Sequence, residues 1–91
     1  MPKTTKTKKD NPAYLERLAQ MRAMEVGHYL VTTMLGKQLT EKEEKQAIES
    51  CIEDLHQNNL IPRDISTDRL NIFVIKFDDI LRKMGMLAET Q

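Results

Sequence analysis

Near the end of a 91-residue chain, Leu70, Phe73, Phe77, Ile80, Met84 and Leu87 recur at alternating three- and four-residue spacing. That spacing keeps all six on one stripe of a helix, with Val74 and Leu81 beside them, so the segment predicts a helix that buries one face in a bundle. The run is shorter than the three to four heptads a coiled coil needs. Ile72 and Ile75 lie off the stripe, which makes the first half of the segment apolar nearly all round. A strand over Asn71 to Phe77 competes, because Ile, Val and Phe concentrate there. The periodicity that continues to Met84 favours the helix. Asp64, Ser66 or Thr67 caps it, and Gly85 stops it, with Met86 and Leu87 packing back or meeting another chain.

Two more helices precede it. Thr40-Glu41-Lys42-Glu43 is a capping box, and Ala47, Ile48, Cys51, Ile52 and Leu55 then form one buried face. Asn58-Asn59 ends that helix. Leu60 and Ile61 in the Pro62 connector are expected under the bundle. Upstream, Asn11 is a good N-cap and Pro12 suits the first helical position. A helical pattern runs from there to Leu35, with Gly36 just past the end. Its first stripe holds Leu15, Leu18, Ala19, Arg22, Val26, Tyr29, Leu30 and Met34, and its second holds Met24, His28, Val31 and Leu35. About 24 residues make a rod of roughly 36 Å. A domain of this size has a radius of gyration near 12 Å. The first helix should therefore break at Gly27 or project its polar first half as an arm. The short Gly36 turn makes the first two helices a hairpin. The expected fold is all-α: a small three-helix bundle over residues 11–91.

Charge is distributed unevenly. Lys and Arg number 14 and Asp and Glu number 14. Four of the lysines, Lys3, Lys6, Lys8 and Lys9, fall in the first nine residues, which leaves ten basic residues against fourteen acids in the remainder. Residues 1–10 hold no large apolar group beyond Met1, so burial cannot offset their ordering entropy and a disordered tail is expected. Such a tail either steers nucleic acid or an acidic partner, or serves only as a solubilising end.

Several classes fit poorly. No apolar run approaches a membrane span, and no apolar segment follows the N-terminal lysines as in a secretory signal. The single Cys51 forms no internal disulfide and suits a reducing, cytoplasmic setting. His28, His56 and Cys51 lack metal-ligand spacing. Cys51 lies mid-face on an apolar stripe, where a thiol acts as a small hydrophobe. The neighbouring carboxylates Glu53-Asp54 and Asp78-Asp79 point about 100° apart on a helix and read as solvated surface. With three glycines in all, no phosphate-cradling loop exists. No enzyme, cofactor or small-molecule substrate is expected. The Gly36 turn resembles a helix-turn-helix in length, but the second helix would present Glu41, Glu43, Glu44, Glu49, Glu53 and Asp54 against Lys42 and Lys45, which repels phosphate.

The remaining feature is surplus apolar surface. A three-helix body needs one stripe per helix, and this chain has more. The expectation is a cytoplasmic protein-binding regulator or adaptor of the inhibitor or chaperone kind, working as a homodimer or on another protein. Its contact residues would be Met24, His28, Val31, Leu35, Ile72 and Ile75. Met21, Met24, Met34, Met84 and Met86 add adaptable surface or fill gaps in the core. The alternative is a DNA- or RNA-associated accessory protein that binds through Lys3, Lys6, Lys8 and Lys9.

Overall fold

The structure is a computed structural model that describes residues 9–88. It contains α1 (Pro12–Thr32), α2 (Glu41–Gln57) and α3 (Thr67–Lys83), and no strand among the described residues. The all-α, three-helix expectation holds. The N-terminal segment expected to be a disordered tail lies mostly outside the described residues. Its last two members, Lys9 and Asp10, form a turn ahead of α1. There Lys9 Nζ donates to the Asn59 carbonyl at 2.7 Å, a cation placed at the C-terminal end of α2.

Each helix starts on a side-chain cap. Asn11 Oδ1 accepts from the Ala13 and Tyr14 amides, and Pro12 follows as the first helical residue. Thr40 Oγ1 accepts from the Glu43 amide at 3.2 Å, while the Glu43 carboxylate accepts from the Thr40 amide at 3.0 Å. That backbone bond, with Lys37 beside it, holds the Glu43 carboxyl below the usual range, so this half of the box survives into mild acid. Ser66 caps α3, accepting from the Arg69 amide. Thr40→Ala is expected to lower unfolding free energy by about 1 kcal/mol, read as a drop in the urea midpoint at unchanged slope.

α1 departs from expectation at three points. It ends at Thr32, three residues before Leu35, because the chain turns out through Leu35 (φ 59°) and Gly36 (φ 81°), both left-handed. The Gly36 amide reaches back to the Leu30 carbonyl at 2.8 Å. Its first half is no projecting arm, since Leu15, Leu18 and Ala19 are core residues. It also runs unbroken through Gly27, which is buried. A Cβ there would run into the Met84 thioether, so this glycine serves a close approach rather than a kink.

The cross-links give the topology. Arg22 of α1 pairs with Asp54 of α2 at 2.9 Å, and Tyr14 Oη donates to the Leu60 carbonyl at 2.7 Å, so α1 and α2 run antiparallel. Glu16 lies near Ile72 and Ile75, and Gly27 near Met84, so α1 and α3 run parallel. The expected hairpin of α1 and α2 is therefore present in direction, but the intimate backbone packing is between α1 and α3. Ala19, Ala23 and Gly27, four residues apart and all buried, let those two helices close up. α2 stands further off.

Leu15, Leu18, Leu30, Ile48, Leu55, Ile61, Phe73, Phe77 and Leu81 fill the core, with the Phe73 and Phe77 rings stacked at 5.8 Å. Ile61 tucks under the bundle as expected. After Gly85 (φ 73°) the chain folds back, and Leu39 and Leu87 form a parallel bridge through two 2.8 Å bonds. No helix among the described residues is long and apolar enough to cross a membrane.

Candidate functional site

The outward face of α1 leaves several large apolar side chains uncovered. Leu15, Leu18, Ala19, Ala23 and Leu30 turn inward, which turns Met21, Met24, His28 and Val31 to solvent on the opposite side. Met24 and Val31 are each 52% exposed and Leu35 is 93% exposed, beyond the helix end. Leu35 combines an exposed apolar side chain with a left-handed backbone, a conformation disfavoured for residues other than glycine. Tyr29 and Met34, expected on the core stripe, are also exposed; Met34 lies past the helix end, where the stripe no longer continues. From Gln20 to Leu35 the only exposed charged residue is Glu25.

The two remaining contact candidates sit elsewhere. Ile75 is exposed and Ile72 half-buried, and they line a groove with Glu16 and Lys76 between α1 and α3. Glu16 is eight residues before Met24, roughly 12 Å along the helix axis, so the six candidates fall into two neighbouring patches. Ile72 also packs against the core and serves partly as structure.

Of the tail lysines, only Lys9 falls among the described residues, and its ammonium is engaged at Asn59. Met21, Met34 and Met84 are exposed, while Met86 packs against the core. Cys51 is half-buried, and burial pushes its thiol above the usual value. His56 keeps one buried ring nitrogen, Nδ1, without a hydrogen-bond partner. Among the described residues no cluster of His, Cys, Asp or Glu could hold a metal ion.

One polar cluster runs against the sequence reading. Glu44 and Asp78, read there as solvated, line a cleft of about 300 Å³ with Glu41 and Arg82, closed at one end by Gly85, Leu87 and Ala88. Glu44 Oε2 is shut off from solvent and has no partner. Burial, then a hydrogen bond and the charge of Asp78, push the Glu44 carboxyl up to about 7. Arg82 Nη2 donates to both Asp78 oxygens at 3.2 Å, a bond along one face of α3. The signal for this cluster is a register one: Glu44 precedes Ile48 by one turn and continues the buried stripe of α2.

The fold and its exposed face define a class, a small all-α domain of three helices with an uncovered apolar helix face. Comparison with protein-family models, curated proteins and solved structures finds no match for this chain.

Proposed function

We propose that this chain is a small non-enzymatic protein-binding regulator or adaptor that works through the outward face of α1, and that this face pairs with a second copy. The observation that carries the reading is the exposure of Met21, Met24 and Val31 along one side of a helix whose opposite side packs into the core, with Leu35 exposed just past its end. Apolar groups left in water along a continuous face favour removal from it. The second copy is the chosen occupant because the face is almost free of charge. Between Gln20 and Leu35 Glu25 is the only exposed charged residue, so two copies meet there with little like-charge repulsion. Glu25 is itself paired with Arg22 of its own helix at 3.4 Å, which further reduces that repulsion.

Val31→Asp is the clean test, because Val31 is half in water and touches no core residue set, whereas Ile72→Asp would also injure the core. Sedimentation velocity of the full chain is expected to give a dimer, and the folded Val31→Asp variant a monomer with an unchanged circular-dichroism melt. A wild-type chain that sediments as a monomer, or a variant that sediments like wild type, would remove α1 as the self-pairing face.

A further inference from the structure

Glu44 reaches from α2 into the polar cleft that Asp78 of α3 also lines. Two ionised carboxylates lining one cleft repel, and neither can donate. One proton changes both facts: Glu44 gains an O–H for Asp78, and the sealed oxygen Oε2 no longer holds uncompensated charge. Arg82, bonded to both oxygens of Asp78, keeps that carboxyl ionised, so the proton resides on Glu44. We propose that Glu44 and Asp78, sharing one proton in the cleft between α2 and α3, form a pH-controlled latch that holds the first half of α2 onto α3.

The surroundings fit a latch. Glu41 of α2 adds a second negative charge, and Arg82 of α3 is the positive one. The segments 38–39 and 85–88 that complete the cleft bring no titratable side chain. On the far side of Glu44, Lys45 and Glu49 line an adjoining groove floored by Ile48, Ile52 and Val74. α2 makes few close backbone contacts, so side chains decide how firmly it is held. With the proton lost, Glu44 and Glu41 both oppose Asp78, and the start of α2 moves off α3 to uncover that apolar groove. The direction follows from linkage. A carboxyl raised from 4.5 to about 7 stabilises the folded chain fully below 4.5, and this stabilisation is lost as pH rises through 7.

The experiment uses the full chain labelled with carbon-13 at glutamate side chains. The Glu44 carboxyl resonance, assigned by its absence in Glu44→Gln, is followed by NMR through the acid and neutral range. A midpoint near 7 is expected, well above the other glutamates. A midpoint shared with the surface glutamates overturns the proposal. Thermal melts give a second reading: from about pH 5.5 to about pH 8 the wild type is expected to lose at least roughly 4 °C. Glu44→Gln donates to Asp78 at every pH and should lose less than half as much. Both proteins carry the same histidines, so those cancel. An equal loss in both proteins overturns the latch. If the variant does not fold, the Glu44 resonance is assigned in the wild type by through-bond correlation to its own backbone amide, and the wild-type titration decides alone.

Discussion

Phe77→Ala is expected to cost about 3–5 kcal/mol of unfolding free energy. Phe77 is wholly buried, stacks on Phe73, and sits where α3 faces the interior of the bundle. Removing the ring takes away its burial and leaves a cavity that the neighbouring Phe73, Leu55 and Leu81 cannot close without leaving their own rotamers. A chain of this length holds in total about 5–14 kcal/mol, so the variant would keep little stability and melt far below wild type. Urea unfolding at constant slope measures it. A loss under about 1 kcal/mol would mean that Phe77 is not the centre of the core.

Ala23→Leu is the second large effect and acts in the opposite sense, by overfilling. Ala23 is fully buried between Ala19 and Gly27 on the stripe along which α1 and α3 run side by side. Three extra carbons at that contact have no space to enter unless the helices move apart. Overpacking costs typically about 1–3 kcal/mol, and a rigid backbone contact belongs at the upper end. The adjacent Met24→Leu change adds no load, since Met24 is half in water, and it is expected to stay within about 0.5 kcal/mol of wild type. If the two neighbours responded alike, the close approach of α1 and α3 would be wrong.

Local chemistry made much of this fold legible. Asn11, Thr40 and Ser66 are caps, and their side-chain oxygens bind the amides that capping rules require. The α2 and α3 stripes were readable because a 3.6-residue period leaves one choice of inward face. Gly27 was misread because glycine in a helix ordinarily signals weakness, and only the position of Met84 reveals that it is a place of contact. Ala19 and Ala23 carried the same hidden information, since alanine is a good helix former whether or not anything lies against it. The early end of α1 was hidden too, because Leu35 in a left-handed conformation is not a turn that residue preference announces. The outward stripe Met24, His28, Val31, Leu35 was visible as surplus periodicity, while Glu44 was hidden by its charge. A glutamate on a helix reads as surface until the partner helix is known to stand over it.

The parallel packing of α1 on α3 bears on how the chain finds its shape. In most small bundles the neighbours in sequence meet first, and local contacts carry the search quickly. Here the tightest pair is the first helix and the last, with α2 and its two connectors looped out between them. Closing a loop of that length costs entropy before any of the core is gained, so high contact order sets the folding barrier. The bridge between Leu39 and Leu87 spans just over half the sequence and can form only after that closure. α2, with the fewest close backbone contacts, is expected to join last, and its amides should exchange hydrogen ahead of those in α1 and α3.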